Sequence, residues 1–349
     1  HGPASTKMDA EIRPRMDLPA GPRTQKACQA LPVGKSPVHS IGGEAPAMTT
    51  VKTQPILVMM SWRGGARLQR CLDSIGKNTD HFTRIIISIT ATPDSEDMTI
   101  AKAFQAKHSK VEVLCTNTEL PTMEHQAFWV DYLEKSGAQP TDWIYWLAYD
   151  DELNTAGISQ IQKSTGSWPL ERNTVYFGPW AMRHETPDEL WSGDGQDEMP
   201  VWTSFPQGGP TRLPLLTWIK DQLNQPTYMQ MSGSLIPFAN YLELRHGKPK
   251  KDGPMRIEMA TALGRVTQFC QELEEPVSII YGRSNSDRAT YGNAARKEDV
   301  HLLAWITRYA ARHPQALKDL LEITTGQVSR QWRQRLRGEP PAQEEWRVR

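Results

Sequence analysis

The sequence lacks most of the features that would place it in a class at once. Its four cysteines, Cys28, Cys71, Cys115 and Cys270, lie far apart with no CxxC spacing. They make neither a disulfide framework nor a zinc site, and a reducing cytoplasm is the default reading. Neither charge is in excess, since Lys+Arg and Asp+Glu number 40 each. There is therefore no global basic field to draw nucleic acid, and any basic site must be local. No run of about 18 apolar residues occurs, so no segment reads as a membrane span. No internal repeat is found. The first 50 residues lack helical periodicity and the apolar stretch of a signal peptide. Rich in Pro, Gly, Ser, Thr and Lys, they read as a flexible leader or an expression-derived segment.

What is present is a long alternation. The 349 residues suffice for one large domain with extensions or two ordinary ones. Residues 55–62, PILVMMSW, form an apolar run ending at Arg63-Gly64-Gly65, which reads as a strand buried on both faces. Leu68, Leu72 and Ile75 then predict a helix. A second strand follows over Arg84–Thr90, a helix over Asp97–His108, a third strand over Val111–Cys115, a helix over Met123–Leu133 and a fourth strand over Trp143–Ala148. Alternating units of this kind predict an α/β fold with a parallel, doubly wound sheet, whose ligands bind beyond the carboxyl ends of the strands.

Further on, Gly178–Gln225 reads as a loop region carrying Trp180, Trp191, Trp202 and Trp218. Strands are predicted over Tyr228–Phe238 and Pro276–Tyr281, and helices over Pro254–Leu263 and Glu298–Leu321. A peripheral helix and a loose Arg- and Gln-rich tail complete the chain.

The stretch WLAYDDELN, Trp146–Asn154, stands out. Asp150, Asp151 and Glu152 follow directly on the fourth strand, and three adjacent carboxylates repel one another unless a cation or protons neutralise them. A solvated turn would explain such a run elsewhere. Here it lies at the carboxyl end of a middle strand, where a sheet of this kind binds its ligands.

Four segments in order resemble the GT-A fold glycosyltransferases, especially the family 2 group of inverting, nucleotide-sugar-dependent enzymes. Ser61-Trp62-Arg63 and the helix ending Cys71-Leu-Asp-Ser-Ile75 resemble that group's first strand and "NR...L..CL.SI" helix. Asp94-Ser-Glu-Asp97 is similar to its "S-x-D" loop, and Leu147–Leu153 to the "L-D-x-D-D-E-L" segment with the DxD motif. Tyr281-Gly-Arg-Ser-Asn-Ser286 resembles its "Y-R-x-H-x-x-S-x-S" segment. Two departures stand out: Ala148 where Asp is common, and Ser284 where a histidine often joins the metal site.

The resemblance implies a GT-A (Rossmann-like) mixed, mostly parallel sheet flanked by helices, with a C-terminal helical extension. It places a GT-A domain over 51–310, the nucleotide-sugar half at 51–155 and the acceptor half at 156–310, and a helix and tail at 311–349. It implies sugar transfer from a nucleotide-diphosphate sugar to a glycan or lipid-linked oligosaccharide acceptor, in bacterial surface polysaccharide assembly. The setting would be the cytoplasm, with peripheral association at the inner membrane surface left open.

The departing diphosphate calls for Mn²⁺ or Mg²⁺, which takes hard oxygen ligands. The expected ligands are Asp150, Asp151 and Glu152, with Asp150 also a candidate for ribose. Trp62 and Arg63 are expected at the nucleotide. Asp94 and Asp97 are expected to accept hydrogen bonds from base or ribose, although a helix cap explains one of them equally well. Arg283, with Arg288 and Tyr291, is placed over the diphosphate. Glu258 is the candidate general base, with Asp252, Asp194 and Asp197 as competitors. His125 and Gln126 could meet sugar hydroxyls, and Trp180, Trp191 and Trp202 could stack on acceptor sugars. The alternatives are a sugar-phosphate nucleotidylyltransferase, which would want a Gly-rich loop and a lysine after the first strand, and a catalytically inactive carbohydrate-binding protein of the same fold.

Overall fold

Runs in which nearly every residue is apolar make the first strands, because a strand between two helical layers must bury both faces. In the computed structural model β1 is Ile56–Ser61, α1 Ala66–Gly76, β2 Arg84–Ile89, α2 Asp97–Gln105, β3 Val111–Cys115, α3 Thr122–Lys135 and β4 Trp143–Ala148. The structure describes residues 54–90, 95–184, 201–205, 211–224, 231–246, 261–282 and 304–325.

After β4 come β5 (Glu152–Leu153), α4 (Thr155–Thr165), β6 (Thr174–Phe177), β7 (Trp180–His184), β8 (Val201–Trp202), β9 (Arg212–Pro214) and α5 (Leu215–Asn224). They are followed by β10 (Ser234–Pro237), α6 (Phe238–His246), β11 (Phe269–Glu272) and β12 (Ser278–Gly282). Residues 304–312 form α7, and Leu317–Thr325 form α8.

The eight strands of the main sheet run in the order β3-β2-β1-β4-β10-β6-β11-β9. β1 pairs in parallel with both β2 and β4, whereas β10 is antiparallel to β4 and to β6. Alternate residues of each strand serve opposite layers. Leu57, Met59, Ile85 and Ile87 pack with Leu68, Leu72, Ala101 and Ile158 of α1, α2 and α4. Ile56, Val58 and Ile86 pack with Trp129, Trp218, Tyr241 and Ile306 of α3, α5, α6 and α7. A second sheet of four short strands runs β5-β12-β7-β8. No described helix is long and apolar enough to cross a membrane.

Three sequence expectations change. The region 178–225, expected as loop, contains β7, β8, β9 and α5. Leu215, Leu216, Trp218, Ile219 and Gln222 of α5 are all buried, a helical stripe hidden among Gly and Pro. Of the strand expected over 228–238, the described residues 231–238 hold β10 at Ser234–Pro237, with Phe238 opening α6. The helix over 298–321 is divided by a 3-10 turn at Pro314–Ala316, because proline has no N–H to continue the ladder. The helix expected over 254–263 lies outside the described residues except for its helical end at 261–262.

Candidate active site

β1 and β4 are parallel neighbours in register, with Met60 opposite Ala148. β2 and β3 extend the sheet to one side and β10 to the other. The chain thus reverses its lateral direction between β1 and β4, and a crevice opens beyond the carboxyl ends of such a pair. Two turns border it: residues 61–65 after β1, and residues 148–151 after β4.

The first turn is built on Asp97. Its Oδ2 accepts from Ser61 Oγ at 2.6 Å and from the Gly64 N–H at 2.9 Å, and its Oδ1 accepts from the Gly65 N–H at 2.9 Å. Burial raises the Asp97 pKa, but the bonds from Gly64, Ser61, Gly65 and Ser95 outweigh it and hold the carboxyl below its ordinary value. Arg63 has φ 51°, a left-handed conformation that costs a side-chain-bearing residue on the order of 1–3 kcal/mol and persists only where the surroundings enforce it. Gly65, also at φ 51°, adopts it without that penalty. Trp62 is 48% exposed, donates from Nε1 to Glu119 Oε1 at 2.9 Å, and has the Arg63 guanidinium 5.4 Å from its ring centre. Trp62 and Arg63 thus stand in the turn that borders the crevice. Asp97, expected to meet base or ribose, is instead 1% exposed with its oxygens on the turn.

The second turn separates the three acids. The Asp151 N–H donates to the Ala148 carbonyl at 3.2 Å, so strand alternation ends before the triplet. Asp151 is buried: its Oδ2 accepts from Ser232 Oγ at 2.5 Å and its Oδ1 from the Tyr281 N–H at 3.3 Å. Ser232 Oγ in turn accepts from the Ala148 N–H at 3.0 Å. Burial first, and the charge of Asp150 second, push the Asp151 carboxyl up to about 8, against the bonds from Ser232 and Tyr281 and the charge of Arg70.

Glu152 lies in β5, where Oε1 accepts from Tyr281 Oη and sits 3.3 Å from Arg70 Nε. The Arg70 guanidinium stacks 3.6 Å from the centre of the Tyr281 ring, and Nη2 donates to the Asp150 carbonyl at 3.0 Å. Beneath the turn Cys71 Sγ donates to the Ala148 carbonyl at 3.6 Å. Burial, then the charges of Asp151, Asp150 and Glu152, push that thiol up.

Among the described residues no group of three or more His, Cys, Asp or Glu side chains gathers around a point that could hold a metal. Asp150 and Asp151 nonetheless fit a hard divalent cation. Such ions commonly take one or two carboxylates and fill the remaining positions with phosphate oxygens and water. Burial is the first cause of the raised Asp151 carboxyl and the neighbouring Asp150 charge the second, and a cation would relieve the repulsion between the two carboxylates.

Several expected residues, Asp94, Glu258, Arg283, Asp194, Asp197, Asp252, Arg288, Tyr291 and Trp191, lie outside the described residues. Trp180 is buried in β7 and offers no face to a sugar. His125 is a core residue: Nε2 is 2.8 Å from Ser88 Oγ, and burial lowers the imidazole to about 4. Gln126 is buried beside it in the sequence.

Arg70, Ser232 and the part played by Tyr281 were not foreseen. Arg70 left a faint signal, a charge next to Leu68, Cys71 and Leu72 in the apolar stripe of α1. Ser232 left none.

No protein-family model matches the chain, and no curated protein matches it in sequence. Among solved structures it is similar to the mannosyltransferase PcManGT from Pyrobaculum calidifontis in complex with GDP-Man and Mn²⁺. The TM-score is 0.50 at 10% identity, over 83% of this chain and 74% of that one. Lower likenesses are to S. aureus TarS 1–349 in complex with UDP-GlcNAc (TM-score 0.45, 9% identity, 79% and 74% covered) and to GalNAc-T7 with UDP, GalNAc and Mn²⁺ (0.40, 11%, 83% and 55%). At these identities what is shared is architecture: the chain has the GT-A glycosyltransferase fold.

Proposed function

We propose that the chain is a metal-dependent glycosyltransferase that moves a sugar from a nucleoside-diphosphate donor to a glycan or lipid-linked acceptor, with inversion at the transferred carbon. The observation that carries this reading is the pairing of Asp150 and Asp151 with the clamped turn 61–65 at the carboxyl ends of β1 and β4. The donors bound by the fold's solved relatives, GDP-Man and UDP-GlcNAc, suggest the class of ligand.

In the reaction the acceptor hydroxyl oxygen attacks the anomeric carbon, the bond from that carbon to the diphosphate oxygen breaks, and the hydroxyl proton passes to a carboxylate base. A bound Mn²⁺ or Mg²⁺ would supply Lewis-acid stabilisation of the negative charge gathering on the diphosphate. Asp150 and Asp151 would hold that ion, and the rigid turn would place Trp62 and Arg63 against the nucleotide. Glu258 remains the proposed base and Arg283 the proposed diphosphate contact. The three described thiols are all free, which suits a reducing cytoplasm, and assembly of a bacterial surface polysaccharide is the proposed setting.

The test is turnover. Nucleoside diphosphate released from a panel of UDP-, GDP-, dTDP- and CDP-sugars is to be measured with and without Mn²⁺. Asp150→Asn is expected to lower kcat/KM by about 100-fold or more, the scale on which removal of one stabilising group acts. A variant as active as wild type would remove the acidic turn from the mechanism.

A further inference from the structure

Three elements far apart in sequence close on one side chain. Arg70 comes from α1, Tyr281 from β12 and Glu152 from β5. Glu152 Oε1 takes the Tyr281 hydroxyl and faces Arg70 Nε at 3.3 Å. The guanidinium carbon lies 3.6 Å from the centre of the tyrosine ring, and Nη2 donates to the Asp150 carbonyl. The side chains of Arg70 and Glu152 are only 16% and 17% exposed. Turning Glu152 away would break an ion pair between two largely desolvated groups, which is costlier than breaking a surface pair.

We infer that Glu152 is a strut and not a cation ligand: Arg70 and Tyr281 hold it fixed and leave cation coordination to Asp150 and Asp151. Arg70 and Tyr281 are accordingly positioning residues. The inference rests on the reading of this turn as a cation and diphosphate site. It adds that the protein supplies a positive charge of its own, from α1, which sets the acidic turn in place before any ion arrives. A carboxylate already neutralised by arginine has little attraction left for a second cation, and the same arginine charge opposes an ion bound nearby.

The test is Mn²⁺ binding to the folded protein, followed through the electron paramagnetic resonance of free Mn²⁺ in the presence of UDP and, in parallel, GDP. Melting curves on every variant establish that it is folded. Glu152→Gln is expected to change the Mn²⁺ affinity by less than about threefold, whereas Asp150→Asn weakens it by about tenfold or more, since affinity follows the ligand charge count. Arg70→Met frees Glu152 and removes the opposing charge, so affinity should tighten by about three- to tenfold, and the Arg70→Met/Glu152→Gln double variant should return towards wild type.

Tyr281→Phe keeps the ring under Arg70 and removes only the hydroxyl, so it serves if Arg70→Met does not fold; its tightening should be smaller and in the same direction. The inference is overturned if Glu152→Gln weakens Mn²⁺ as much as Asp150→Asn does. It is equally overturned if folded Arg70→Met, or in its place Tyr281→Phe, binds Mn²⁺ no more tightly than wild type. A wild-type protein that binds no Mn²⁺ with either nucleotide brings down the functional reading itself and this inference with it.

Discussion

A carboxyl group that is buried beside a second carboxylate holds its proton far above the ordinary range, and Asp151 is such a group, raised from 3.8 to about 8. The neutral form therefore belongs to the fold. Its contribution to stability is complete below the unfolded value of about 4 and is lost as pH rises towards about 8. A cation at the turn favours the ionised form and reverses that slope. In thermal melts from about pH 5 to pH 8, the increment in Tm on adding Mn²⁺ should grow with pH, relative to EDTA controls. An increment flat across that interval would show that Asp151 is not linked to the ion.

Asp97 is the opposite case, held below its ordinary value by four donors against its own burial. Its contribution is present above pH 3.8 and lost as pH falls through the folded value. Asp97→Asn should cost about 1–3 kcal/mol in urea denaturation and raise donor KM more than it lowers kcat. Unchanged stability would mean that the turn is held by other contacts.

At the scale of elements, the parts of the site legible in the sequence were those that announce themselves locally. β1 and β4 are apolar runs bounded by a glycine pair and an acidic triplet, so strand, edge and turn could all be read from one window. What could not be read is how the triplet is satisfied. Arg70 arrives from α1, Ser232 from the segment before β10 and Tyr281 from β12, and no periodicity in one window encodes a meeting across 130 residues. For the same reason Asp97 read as a cap or ligand contact, when its partners lie more than 30 residues upstream. α5 was missed because its apolar stripe lies among Gly- and Pro-rich stretches that locally resemble loop.

The convergence depends on β12 keeping its register. The start of α4 helps to fix it: Asn154 donates from its backbone N–H to the Val277 carbonyl at 2.9 Å, and a Cβ on Gly157 would lie 1.9 Å from the Pro276 carbonyl oxygen. Gly157→Ala should cost about 1–3 kcal/mol in urea denaturation, as overpacking does. Wild-type stability in that variant would show that the junction yields freely.

For the whole molecule, sheet order makes the site. The order β3-β2-β1-β4-β10 sets the point of reversal between β1 and β4. The helical layers on both faces leave the strand ends as the place for a ligand. The small sheet then brings β12 beside β5 and closes the acidic turn from the side.

The most direct measurement is thermal stability of the wild-type protein with UDP, GDP, dTDP and CDP, each with and without Mn²⁺. The expected result is stabilisation by at least one nucleotide that requires Mn²⁺ and disappears in Asp150→Asn. Saturating ligand at about 100 times its Kd corresponds to about 2.7 kcal/mol. The contradicting result is no metal-dependent stabilisation by any of the four, or one that persists unchanged in Asp150→Asn.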